Sequence, residues 1–377
     1  MIYFDNNATT RMAPEVRAAV LPFLDAYYAN PSSPYAFARK TSVAVADARD
    51  AVAALVGVRA PDVVFTSGGS ESINTAFHAA RTLRPERRQF VVSTVEHAAT
   101  LACARKLDQQ GLRVAWIPVD TAGRPDMDAY ANSLTDDTAL VSIMAANNET
   151  GVLFPVEEMA ALAAERDIYF HCDATQAVGK IPFRADQPGM TFVSLSGHKL
   201  HAPKGVGALI TAPSVTLPPL VAGGEQEQGR RAGTENVIGI VGFGAAAGLA
   251  TEAPALFERR IRSLRDTMEQ RVCDTVDRVR VAGAAAPRLP NTSLLLFEGV
   301  PSEALLARLD MEGICCSSGS ACTAGAAEPS HVLAAMHLPP NYGLGAVRIS
   351  FSRYTEPNEV NEFLDRIGPL VRALRTS

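Results

Sequence analysis

The chain has no long hydrophobic run. Its longest, residues 237–250, is rich in Gly and Ala and too short to cross a bilayer, so it reads as a packed helix. Six cysteines in 377 residues are too few for a disulfide framework, and a reduced compartment is the expectation. Charge of neither sign is concentrated. The net charge of −5 comes without a basic tail or a like-charge run, which argues against nucleic acid or an anionic membrane as partner. The opening Met1-Ile2-Tyr3-Phe4-Asp5 lacks the charged and then apolar segments of a secretory leader, so a cytoplasmic protein is expected. Internal repeats and low-complexity segments are missing too. The glycine turn Ser67-Gly68-Gly69-Ser70-Glu71 lacks both the G-K-[ST] of a P-loop and a full G-x-G-x-x-G, so it carries no strong nucleotide signal. The cysteine spacing matches no zinc pattern, and no metal is expected.

What is present is a rhythm of strands and helices. Expected strands at 63–66, 90–94, 114–117, 139–144, 168–172, 192–195 and 207–211 alternate with helices at 14–28, from the loop after Asn30 to Gly57, and at 98–110 and 156–166. That alternation predicts an α/β fold with a mostly parallel sheet. After about Thr251 the pattern changes to a charged helix over 254–278, strands at 279–281, 293–297, 313–316 and 347–351, and helices at 302–311 and from about 356. The expectation is a large domain of residues 15–251 and a smaller α+β domain of residues 1–14 and 252–377.

One stretch organises the rest. The apolar strand 192–195 runs into Ser196-Gly197-His198-Lys199 and delivers a lysine at the end of a buried strand. A desolvated lysine loses its proton more readily and can attack an aldehyde, and the aldehyde best suited is pyridoxal 5'-phosphate. Ser196 and His198 add donors for a phosphate. The other strand ends agree. Thr66 to Glu71 offers glycines and helix N–H groups to an anion. Asp173 ends a buried strand, where a carboxylate can keep a pyridinium nitrogen protonated. Glu96-His97 and Asn147-Asn148-Glu149 follow two more strands. Each has a plainer reading as a helix cap or a core polar residue, and their convergence is what favours one aromatic, anionic ligand.

Two features stand apart. Ser317-Ser318-Gly319-Ser320-Ala321-Cys322-Thr323 is a run of small residues around one cysteine, which predicts a mobile loop whose thiol is used. Cys103, Cys172 and Cys273 fall in helix or strand patterns where burial is expected. Arg348 is a cation inside an apolar strand and calls for a carboxylate partner, from ligand or protein.

With S-G-H-K at 196–199, R-A-G-T-E-N at 231–236 and S-S-G-S-A-C-T at 317–323 in this order, the chain resembles the cysteine desulfurases of the nitrogen-fixation and iron–sulfur-cluster type, within the class V aminotransferases. The resemblance runs from Tyr3 to Ser352. It implies a fold-type I pyridoxal phosphate enzyme, a homodimer, L-cysteine as substrate and a sulfur-acceptor protein such as an iron–sulfur scaffold as partner. It further implies that Lys199 binds the cofactor as a Schiff base and shuttles protons, that Asp173 pairs with the ring nitrogen, and that Gln176 and Asn147 bond the phenolic oxygen. His97 would stack on the ring and assist proton transfer. Gly69, Ser70, Ser196 and His198 would hold the phosphate, with Thr234 from the second subunit. Asn7, Asn147 and Arg348 would receive the substrate, and Cys322 would take its sulfur. A selenocysteine lyase is a neighbouring possibility; a cluster-holding scaffold built on Cys315, Cys316 and Cys322 would leave the lysine site unexplained.

Overall fold

The structure, a computed structural model, describes residues 1–252, 254–318 and 330–376. Its strands are β1 (Ile2–Tyr3), β2 (Val63–Thr66), β3 (Gln89–Ser93), β4 (Arg113–Ile117), β5 (Thr138–Met144), β6 (Tyr169–Asp173), β7 (Met190–Ser196), β8 (Gly207–Thr211), β9 (Val279–Val281), β10 (Thr292–Phe297), β11 (Ile314–Cys315) and β12 (Ala346–Ser350). Seven of them form one sheet in the order β2-β8-β7-β6-β5-β3-β4. All pairs are parallel except those of β8, which runs against both β2 and β7. Every residue of β5 and β7 is buried, as a parallel strand covered by helices on both faces requires.

One helix layer pairs Arg39–Val56 with Val237–Thr251. The Gly and Ala content of the second helix is what lets the two backbones close up. A Cβ at Gly244 would lie 2.5 Å from Ala48 Cα. The apolar run singled out above is therefore a packed helix.

The C-terminal part has its own sheet, β12-β10-β9, antiparallel throughout, and its own apolar core. Ile2 and Phe4 are buried in that core, and β1 pairs in parallel with β11. Burying two such side chains is worth about 1.5–3 kcal/mol each. The first residues of the chain are thus tied to the last third. Several expected bounds move. The first helix ends at Asp25 rather than near Tyr28, because the Ala26 and Tyr27 N–H groups both turn back to Pro22 O. The charged helix is Pro254–Thr275, and the strand expected at 313–316 shrinks to β11. A short helix, Met127–Ser133, has no counterpart in the sequence reading.

Candidate active site

β7 ends on Ser196, and a single 3-10 turn, Gly197–Lys199, carries the lysine off the sheet. The polar turn after β1 lies across it as a strap. Thr10 donates from both its N–H and its hydroxyl to His198 O (3.0 and 2.9 Å), and Thr9 Oγ1 lies 3.1 Å from His198 Nδ1. The Lys199 ammonium donates to Asn7 O and, at 2.7 Å, to Ala8 O. Burial, then the charge of Lys199, pushes His198 down to about 4, so its imidazole stays neutral.

The neighbouring strand ends supply an anion cradle. The helix Gly69–Leu83 starts immediately after Gly68, which has φ +154°. A Cβ at Gly207 would sit 2.7 Å from Gly68 Cα, so β8 tolerates no side chain where it passes this turn. A Cβ at Gly69 would lie 3.1 Å from Thr175 Oγ1 and 3.7 Å from Ser196 Cβ. Gly69, Thr175 and Ser196 therefore border one space, beside the free N–H groups of a helix N-terminus. Thr175 Oγ1 is buried and has no hydrogen-bond partner among the described residues. Asp173, at the end of β6, is buried and accepts from Thr175 N–H at 3.0 Å. Ser70 is exposed at this helix start, and the cap is Gly68 rather than Ser70.

His97 caps the helix Ala98–Gln109 by accepting the Ala99 N–H on Nδ1 at 3.2 Å. Burial lowers its affinity for a proton, partly offset by the charge of Asp173. Its neighbour Glu96 is fully buried, with Oε1 accepting from Ser93 Oγ (2.7 Å) and Met144 N–H (3.0 Å). Burial, augmented by Asp173, raises its carboxyl to about 8.

Asn147 is spent mainly on shaping the turn after β5. Its Oδ1 accepts from Glu149 N–H and Thr150 N–H (2.9 Å each), and its amide donates to Val95 O at 3.1 Å. Arg348 is 1% exposed and meets Asp5 Oδ1 at 2.8 Å and Asn148 O at 3.2 Å. The carboxylate it called for is thus present in the protein itself. Asn7 links this arm to the lysine. Its amide donates to Thr292 Oγ1 (2.9 Å) and Asn148 O (3.1 Å), while its Oδ1 accepts from Asn291 and Lys180 (3.1 and 3.2 Å). Gln176 donates from Nε2 to Asn7 O at 3.0 Å and accepts from Lys180 on Oε1.

Thus Asn7, Gln176 and Arg348 belong to one connected network with Lys199, while the Asn147 side chain bonds Val95 O and its own turn. Thr234 is exposed, on a segment held to the helix Gly69–Leu83 by an Arg231–Glu71 ion pair of 2.9 Å. Cys322, and the loop expected around it, lie outside the described residues. One expectation fails: Cys273 is exposed, because it occupies the outer side of the helix Pro254–Thr275 beside the buried Val272. Sequence reasoning missed Asp5, Thr175, Lys180, Asn291 and Thr292. Only Asp5 had a signal, as an acid in the same polar turn as Asn7.

The donor set fits pyridoxal 5'-phosphate. An orphaned hydroxyl and helix N–H groups suit its phosphate, a strand-end carboxylate suits its ring nitrogen, and Lys199 leaves the strand end at Ser196, its charge acting with that of Asp173 on His97. The profile of the family described as aminotransferase class-V matches residues 2–363. A cysteine desulfurase of Gluconacetobacter diazotrophicus is 48% identical over 99% of this chain and 94% of its own length. The cysteine desulfurase NifS of Azotobacter vinelandii is 45% identical over 99% of this chain and 93% of its own. Among solved structures, a NifS-like protein superposes with a TM-score of 0.93 at 33% identity, covering 99% of this chain and 100% of that one.

Proposed function

This chain belongs to the class-V aminotransferase family, and from that premise we propose how its residues divide the reaction. It is a fold-type I, pyridoxal phosphate-dependent cysteine desulfurase, taking L-cysteine to L-alanine. The observation that carries the residue assignment is the strap: Asn7 contacts Lys199, Gln176, Lys180 and Thr292 and shares Asn148 O with Arg348. When bound, the cofactor supplies an electrophilic carbon that captures amines and a ring that draws electron density from the substrate's Cα. Lys199 would hold the cofactor and move protons. Asp173 would keep the ring nitrogen protonated, and Gln176 would donate to the phenolic oxygen, with Asn147 beside it. Gly69, Ser70, Ser196, His198 and Thr175 would hold the phosphate. His97, whose proton affinity burial lowers, would cover the ring and assist proton transfer. Arg348, Asn7 and Asn147 receive the substrate, its carboxylate competing with Asp5 for the guanidinium. Cys322 attacks the substrate sulfur: the S–S bond forms, the C–S bond breaks, and its electron pair goes to carbon.

The reading extends to residues 15–251 as the cofactor-binding domain, with residues 1–14 and 252–377 as the smaller one; the apolar core that Ile2 and Phe4 share with residues 261–371 supports it, while Leu289, Leu294 and Val332 pack on the larger core. It also extends to a cytoplasmic setting and to a protein acceptor for the sulfur, such as an iron–sulfur scaffold. Among the described residues no helix is long and apolar enough to cross a membrane. Purified chain loaded with the cofactor should convert L-cysteine into equal amounts of alanine and reducible sulfur; alanine formed without sulfur would overturn the assignment.

The same reading includes a homodimer, and the surface supports it. Leu24, Tyr28, Tyr35 and Phe37 are exposed near one another in sequence, Tyr28 by 77%, and Tyr28 and Phe37 touch edge to face at 5.2 Å. Aromatic side chains left this open suit a partner surface, and Thr234 would reach the other subunit's phosphate. Sedimentation should give twice the chain mass at assay concentration. A fully active monomer would contradict it.

A further inference from the structure

Lys180 is an anomaly. It is a lysine 7% exposed, four residues beyond Gln176 in the turns after β6, with no carboxylate partner among the described residues. Leaving an amine in such a place costs several kcal/mol unless hydrogen bonds hold it. Its two acceptors are both side-chain amides, Gln176 Oε1 and, at 3.2 Å, Asn7 Oδ1. We propose that Lys180 is a positioning residue that locks the amide orientations of Gln176 and Asn7, so that Gln176 presents its N–H groups to the cofactor's phenolic oxygen.

The argument is one of donors and acceptors. An amide can rotate by half a turn at little steric cost, exchanging oxygen for NH2. An amine, protonated or not, carries N–H donors for both contacts, and the two groups facing it are oxygens. Lys180 thereby holds Gln176 Oε1 toward itself and Nε2 away. One Nε2 hydrogen goes to Asn7 O, and the other has no acceptor among the described residues. Asn7 Oδ1 is held by both Lys180 and Asn291, which aims its amide donors at Asn148 O and Thr292 Oγ1. Asn147 cannot replace Gln176 without losing a contact, since its amide already serves Val95 O and Met144 Sδ. Burial, then the charges of Lys199 and Arg348, pushes the Lys180 amine well below the usual lysine range. Lys199, Arg348, His198 and His201 are the titratable groups around it, and Glu252 and Arg353 line the same small cavity.

This rests on the reading of Gln176 as a cofactor contact, and the test separates the two. The midpoint of the bound cofactor's absorbance is measured against pH in cofactor-loaded Lys180→Met, Gln176→Leu and the double variant, with Lys180→Gln as a second probe. A donor on the phenolic oxygen draws charge from it, so losing the donor should raise the midpoint by about one pH unit. Lys180→Met and Gln176→Leu should each give that rise, the double variant no more than either, and KM for cysteine should rise about tenfold. The melting temperature of Lys180→Met should hold or increase, because a buried amine without a carboxylate partner is removed. A shift in Gln176→Leu but not in the Lys180 variants, or additive shifts, would refute the Lys180 proposal. An unmoved midpoint in Gln176→Leu would refute the Gln176 reading and this proposal with it.

Discussion

Lys199→Ala should purify without covalently held cofactor and turn over cysteine about 10²–10⁴-fold more slowly, or not at all. The wild-type chain should be yellow, and borohydride should fix the cofactor to the peptide that contains Lys199. The structure narrows the competitors to two. Lys204 is exposed, five residues on in a turn. Lys180 is buried and near, but its amine is engaged by Gln176 and Asn7. Lys199 alone stands on the turn leaving β7, three residues beyond Ser196, with its amine against the Asn7 and Ala8 carbonyls. The variant should fold normally, since the strap is also held by Thr10 on His198 O. Non-covalent cofactor bound to it would be expected; a borohydride adduct mapped to Lys180 or Lys204 would defeat the assignment.

Cys322→Ala should keep the cofactor and still change its absorbance on adding cysteine, yet release sulfide about a hundredfold more slowly or less and carry no persulfide. The remaining thiols are poorly suited to the task. Burial pushes Cys103 up to about 11, Cys316 up to about 12, and Cys172 well above the usual thiol range. Cys273 is raised as well and lies on the helix Pro254–Thr275. A thiol must ionise to attack sulfur, so each of these is held back. Cys315 is half-buried in β11, paired with Tyr3 in the parallel ladder. Substituting Cys315 or Cys316 by Ala should therefore cost much less. Mass spectrometry that placed the persulfide on either, with Cys322→Ala still active, would reverse the order.

Much of this was legible in the residues. The α/β alternation, the glycine turn before a helix, the strand-end Asp173 and the S-G-H-K lysine all depend on neighbours a few positions away. Local pattern carries them because periodicity, turn chemistry and caps are short-range effects. The family resemblance then attached chemistry to those positions. Cys273 shows the limit of the same reasoning. One face of a helix is buried and the other is wet, and a cysteine with Val on one side and Asp on the other belongs to neither pattern.

What only the tertiary structure decided are the pairings across the chain. Asn7 meets Lys199 from 192 positions away, and Asp5 meets Arg348 from 343. No periodicity encodes such contacts; they exist because β1 is drawn into the C-terminal core and pairs with β11. Lys180 was invisible for a related reason. A lysine after a glycine reads as a surface turn, since burying an amine is costly wherever water is the alternative partner. Its cost is met only when folding brings Gln176 Oε1 and Asn7 Oδ1 to the same amine. On the proposal above, the orientation of two amides depends on one buried amine meeting oxygens from two distant segments, and neither segment holds that information alone.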